Sequence, residues 1–180
     1  MIWPDITVVI VTYNRPEEIR KTINALHNHI KYSGQINWLV ADDGSDGTYA
    51  SDLIKDYTGI GLQVVITNRG GWGKNVNNAF KMVDTDYVFL CEDDYVSKYP
   101  LDLDTGVTLM QEEPTIGLVR YDGVGEHLLD LSLNTVESSQ GKIAYALLRN
   151  TSSTLHIYSN RPHLCHKRFH QYYGAYPERQ

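Results

Sequence analysis

An α/β fold, with a mostly parallel sheet, helices on both faces and a smaller antiparallel region, is predicted by three observations. Apolar runs with strand preference alternate with amphipathic, helix-like stretches through the first half of the chain. Three of the first four such runs end in polar or acidic residues, as strands do when their C-terminal ends share a crevice. The second half then breaks into short strand candidates separated by turn residues, a pattern that suits antiparallel pairing.

The first run, residues 6–12, is rich in β-branched side chains and reads as a buried strand. Tyr13, Asn14, Arg15 and Pro16 break it. Asn14 is placed to cap a helix, Pro16 suits its first turn, and Glu17 and Glu18 favour the positive end of its dipole. That helix is expected to run to about residue 29, with Ile19, Ile23, Leu26 and Ile30 on one face and Gly34 closing it. A second strand at 37–41 leads into Asp42-Asp43-Gly44-Ser45, and a short helix is expected from Thr48 to about Tyr57. A third strand at 62–67 precedes the glycine-rich loop 68–75, which opens a helix with Val76, Ala79, Phe80 and Val83 inward. The fourth strand, from Tyr87 to Cys91, runs straight into Glu92, Asp93 and Asp94. Beyond it the expectations are a helix from Leu101 to about Glu113, ended by Pro114, and a strand from Ile116 to Tyr121. Strand candidates follow at 128–136, 142–148 and 154–158, and a last short helix from Arg161 to about Tyr173.

Three adjacent carboxylates after a buried strand repel one another unless a cation or a cluster of donors faces them. Glu92, Asp93 and Asp94 are therefore candidate ligands for a divalent metal that in turn holds a phosphate; hard oxygen donors suit Mg²⁺ or Mn²⁺. The plainer alternative is an acidic turn. At Asp42 and Asp43 a carboxylate could accept from a base imide or a ribose hydroxyl, or simply make an Asp-Gly turn. The backbone after the first strand could cradle a base and ribose, with Tyr13 stacking nearby. The loop Gly70-Gly71-Trp72-Gly73-Lys74 could bring backbone close to a phosphate, with Lys74 or Arg69 neutralising charge, or it could be a turn; it fits neither the P-loop nor the dinucleotide pattern. His163 and His166, three apart in the last helix candidate, could meet a metal from one face.

A chain of 180 residues, 42% apolar and 21% charged, is the size of one domain with a full core. A net charge of -6 argues against a general nucleic-acid binder. Cys91 and Cys165 are too few for a disulfide framework or a thiolate zinc site, so a reducing, cytoplasmic location is expected. No integral membrane segment is expected, and peripheral membrane contact through a partner stays open.

Taken together, these motifs resemble the inverting glycosyltransferases of family two, which have the GT-A fold. The opening strand and loop at 8–16, the signature at 40–48, Asn68-x-Gly70 with Gly73-Lys74-Asn75, and Cys91-Glu92-Asp93-Asp94 in the place of the family's acidic metal motif carry the resemblance. Tyr158-Ser-Asn160 and Gly174-x-Tyr-Pro-Glu178 look like its acceptor-side segments. The resemblance implies a GT-A-like domain over residues 1–180, with a nucleotide-sugar half at 1–99 and an acceptor half at 100–180 that is C-terminally short. It also implies a nucleotide-diphosphate sugar donor, a uridine sugar foremost, and Mn²⁺ or Mg²⁺. Thr12, Tyr13 and Arg15 would line the nucleotide pocket, Asp43 with Asp42 behind it would contact the base, and Lys74 would approach the base or diphosphate. Asp93 would face the ribose and sugar, and Asp94 would bind the metal, with Glu92 and His163 as further metal candidates. The catalytic base is open among Glu178, Glu126 and Asp122. The acceptor could be a glycan, a lipid-linked sugar, a protein or a small molecule. Competing expectations are a nucleotide-sugar-binding domain without turnover and a sugar nucleotidyltransferase; the segment 12–16 lacks the glycine-rich basic loop of the latter.

Overall fold

The computed structural model describes residues 2–121, 134–138, 141–145 and 161–178. Its elements are β1 (Ile6–Thr12), α1 (Pro16–His29), β2 (Ile30–Lys31), β3 (Ile36–Asp42), α2 (Tyr49–Asp56), β4 (Gln63–Ile66), α3 (Trp72–Met82) and β5 (Tyr87–Glu92), followed by β6 (Leu101–Asp102), α4 (Leu103–Glu112), β7 (Leu118–Arg120), β8 (Asn134–Ser138), β9 (Gly141–Tyr145), β10 (His163–His166) and α5 (Arg168–Tyr173). The main sheet has six strands in the order β4-β3-β1-β5-β10-β7. β1, β3, β4 and β5 pair in parallel, and β10 runs antiparallel between β5 and β7. β2 pairs with β6 in parallel, and β8 with β9 antiparallel. Among the described residues, no helix is long and apolar enough to cross a membrane.

The central strands are apolar throughout because both faces of the sheet are covered. In β1 the side chains alternate between two cores. Ile6, Val8 and Ile10 join Ile19, Ile23 and Leu26 of α1, Leu53 of α2, and Val107 and Met110 of α4. Val9 and Val11 join Val76 and Ala79 of α3 together with Cys165 and Tyr176. The register sets the site: Thr12 at the end of β1 lies beside Asp42 of β3, and Val11 lies beside Glu92 of β5.

Several expectations are corrected. Asn14 does not cap α1. It has φ 51°, a left-handed conformation that asparagine tolerates, and the cap position is Arg15, without a side-chain cap bond. Helix α1 ends at His29 as expected, but its C-cap is the extended Ile30, whose N–H donates to the Leu26 carbonyl, so Gly34 does not close it. The glycine-rich loop is shorter than expected, because α3 begins at Trp72. Leu101 and Asp102 form β6, and Asp102 then caps α4 by accepting from the Thr105 backbone N–H at 3.0 Å. The segment expected as one helix from Arg161 is the strand β10 followed by the short α5. Four residues carry no decisive period; here ladder pairing on both edges and burial of Leu164 and Cys165 on opposite faces settle the matter. The antiparallel candidates are seen in part, as β8 and β9; the candidate at 154–158 and the start of that at 128–136 lie outside the described residues.

Candidate functional site

The C-terminal ends of β1, β3 and β5 and the first turn of α3 enclose a cavity of about 290 Å³. Val11, Thr12, Tyr13 and Arg15 come from β1 and its loop, Asp43 directly follows β3, Trp72 and Asn75 come from α3, and Glu92 ends β5 with Asp93 and Asp94 just beyond it. Asp43 and Asp94, far apart in the chain, thus face one space at one end of the sheet.

Asp93 is the centre of the hydrogen bonding. Only 5% of the residue is exposed, yet it carries a carboxylate. Thr12 donates its hydroxyl to Asp93 Oδ2 at 2.8 Å and lies 2.6 Å from the Tyr49 hydroxyl. Thr22 of α1 donates to the Asp93 carbonyl at 2.6 Å, which fixes the backbone. One guanidinium nitrogen, Arg15 Nη1, stands 3.2 Å from Asp93 Oδ1 and 3.1 Å from Asp94 Oδ2. Burial raises the Asp93 carboxyl above the ordinary range; the Thr12 hydrogen bond and the Arg15 charge oppose that rise without cancelling it. The Arg15 guanidinium is held protonated chiefly by the charge of Asp93.

Asp43 serves a different local purpose. Its Oδ1 accepts from the Gly70 N–H and its Oδ2 from the Gly71 N–H, both at 2.9 Å, and Thr67 donates to Oδ1 at 3.2 Å. The carboxylate therefore folds the glycine loop back toward the strand ends. Gly71 has φ 81°, so the turn entering α3 favours glycine there. Buried Asn75 ties α3 to the sheet by donating to the Ala41 carbonyl at 2.7 Å. A carboxylate has about four acceptor positions, so Asp43 keeps capacity for a ligand donor.

The remaining sequence candidates fall outside the cavity lining. Asp42 is fully buried on the opposite side of the strand pleat and accepts from the Ser45 N–H and hydroxyl. Burial raises its carboxyl as well. Lys74 lays its stem over Gly70, where an added Cβ would come within 2.2 Å of the lysine chain. Glu178 accepts from the Asn77 side chain at 2.9 Å. His163 is fully buried in β10, with Nδ1 2.7 Å from the Arg161 carbonyl. It shares no helical face with His166, because residues three apart on a strand point to opposite sides. Among the described residues no three His, Cys, Asp or Glu side chains gather as a metal site. The pair that converges is Asp93 and Asp94, and their hard oxygens already meet at one cationic nitrogen, which fits a small divalent ion completed by other oxygens. Glu126, Asp122 and the segment 158–160 lie outside the described residues.

Sequence reasoning did not single out Tyr49, and it quoted Trp72 and Asn75 within the glycine-rich motif without giving either a role of its own. Trp72 stands four before Val76, so the helical period of α3, carried one turn further back, finds it. It is packed edge-to-face on Tyr176, with ring centroids 4.8 Å apart. The segment after α5 is strapped onto α3: Asn77 accepts from the Tyr176 N–H at 2.9 Å and donates to its carbonyl at 3.0 Å.

The family model described as "Glycosyl transferase family 2" matches residues 7–171. A search of curated proteins found no match. Solved structures do match. The mannosyltransferase PcManGT from Pyrobaculum calidifontis, in complex with GDP-Man and Mn2+, superposes with TM-score 0.65 at 16% identity, covering 98% of this chain and 50% of the other. S. aureus TarS 1-349 in complex with UDP-GlcNAc superposes with TM-score 0.65 at 20% identity, covering 97% and 49%. A further S. aureus TarS structure gives TM-score 0.65 at 19% identity, covering 96% and 30%. The chain thus spans half or less of the length of these structures.

Proposed function

This chain belongs to glycosyl transferase family 2, and from that footing we propose that it moves a sugar from a nucleotide-diphosphate sugar, a uridine sugar foremost, to an acceptor hydroxyl with inversion. The observation that carries the reading is the single cavity in which Thr12, Arg15, Asp43, Asp93 and Asp94 meet. Such a convergence of donors, acceptors and opposite charges over strand ends suits a phosphorylated ligand.

In this reading Thr12, Tyr13 and Asp43 bind the nucleoside, Asp43 through its spare acceptor positions. Asp93, fixed by Thr12 and Thr22, faces the ribose and sugar and orients the donor. Asp94 and Asp93 hold Mn²⁺ or Mg²⁺, which when bound supplies positive charge to the diphosphate. The acceptor oxygen forms a bond to the anomeric carbon as the bond to the diphosphate breaks. The electron pair leaves with the phosphate oxygen, and the hydroxyl proton passes to a carboxylate on the acceptor side. Glu178 is the described candidate for that carboxylate.

The placement of Glu178 favours a second reading, binding without turnover. Its carboxylate is engaged by Asn77 and lies outside the cavity lining. A thermal-shift series with uridine and guanosine diphosphate sugars, with and without Mn²⁺, tests the binding. Ligand at 100 times its Kd stabilises the native state by about 2.7 kcal/mol, a readily measured rise in melting temperature. Release of free nucleotide on adding acceptor sugars separates the two readings. No shift with any nucleotide sugar overturns both.

A further inference from the structure

We propose that Arg15 is an internal counter-ion that pairs with the acids Asp93 and Asp94 and transfers to the donor's diphosphate when donor and metal bind. The inference rests on the metal-assisted reading above and assigns Arg15 a positioning role within it.

Three features support it. The contact is made by one nitrogen to two carboxylates, so the guanidinium stands where the charges of both acids converge. The two sides of the contact differ in how firmly they are held. Asp93 is anchored by Thr12 and Thr22, whereas Arg15 and Asp94 have side chains 51% and 58% exposed. An ion pair that open to water is weak and breaks readily. Finally, the Arg15 backbone is held in place while its side chain reaches the cavity: its carbonyl accepts from the Ile19 N–H at 3.1 Å in the first turn of α1, and Arg15 lines the same cavity as Asp43. A planar guanidinium fork fits two phosphate oxygens as well as two carboxylates.

Arg15 must surrender both acids before they can serve a divalent ion. With no other anion present, that surrender opposes metal binding. With a nucleoside diphosphate present, Arg15 exchanges carboxylate for phosphate. Metal and diphosphate should therefore strengthen each other's binding, by equal factors in each direction.

The test is Mn²⁺ binding, followed by the electron paramagnetic resonance signal of free Mn²⁺, for wild type, Arg15→Gln and Arg15→Lys, with and without uridine diphosphate. Arg15→Gln is expected to bind Mn²⁺ alone up to about 5-fold more tightly than wild type, the span open to an exposed ion pair. The enhancement of Mn²⁺ binding by uridine diphosphate should fall in the same variant. Arg15→Lys, which keeps the charge, should stay near wild type in both. Arg15 makes no side-chain cap bond and its ion pairs are half exposed, so a cooperative melt within a few degrees of wild type is expected and checks the fold. If Arg15→Gln binds Mn²⁺ no more tightly while the ternary complex still forms, the counter-ion role is overturned and the metal reading stands. If no variant binds Mn²⁺ under either condition, the metal reading fails and takes this inference with it.

Discussion

Asp93 sits in surroundings that disfavour its charged form, and stability is affected accordingly. Because burial raises its folded-state pKa above the unfolded value, its contribution is favourable below the ordinary aspartate range and is lost as pH rises through the raised value. Asp93→Asn is therefore expected to melt higher than wild type at neutral pH, with the gap closing as pH falls into the acid range. The same variant should lose sugar transfer. A pH series of melting curves beside a nucleotide-release assay checks both. Asp43 differs, because its carboxylate already satisfies two backbone donors. Asp43→Ala should cost about 1–3 kcal/mol in denaturant unfolding, since it strands the Gly70 and Gly71 N–H groups. It should also weaken uridine binding in calorimetry without metal. At this scale the sequence was informative wherever an acid followed a buried strand: Asp43, Glu92, Asp93 and Asp94 reach one cavity. It set Asp42 behind Asp43 without giving its partner, and it did not give the direction of Lys74. Strand pleat turns Asp42 inward onto Ser45, and the bend of the glycine loop lays Lys74 over Gly70; neither direction is written in local residue preference.

Among the elements, α3 links the cavity to the segment that follows α5. An added Cβ at Gly73 would stand 2.1 Å from the Pro177 carbonyl oxygen, closer than any real contact. Alanine improves helix propensity by about 1 kcal/mol over glycine, so an isolated helix would gain from the change. Here Gly73→Ala should instead destabilise the protein by about 1–3 kcal/mol, as overpacking does, and loosen residues 174–178. Limited proteolysis of the C-terminal segment, read beside thermal melts, checks this; a stabilised, protease-resistant variant would mean the strap does not press on α3. The first-half elements other than the two-residue β2 were legible because each spans enough residues for its period to show. The strand β10 was not, because its identity comes from partners more than forty positions earlier in the chain, such as Leu90 and Arg120.

Across the whole molecule, two cores on opposite faces hold the sheet, and the residues that matter most for the proposed chemistry project from its C-terminal end. The parallel half was readable from alternation alone, since each crossover helix buries its apolar stripe on the neighbouring strands. The later half was not, because short strands with polar turns state that pairing occurs without stating with whom. The order β5-β10-β7 also bears on how the protein is made. β10 emerges from the ribosome after both strands that it joins. Until then, among the described residues, β5 has its β10-facing edge unpaired along Val88 and Leu90, and β7 has no partner strand. Synthesis stalled before residue 163 should thus yield a sticky intermediate that leans on chaperones, and the arrival of β10 is what seals it.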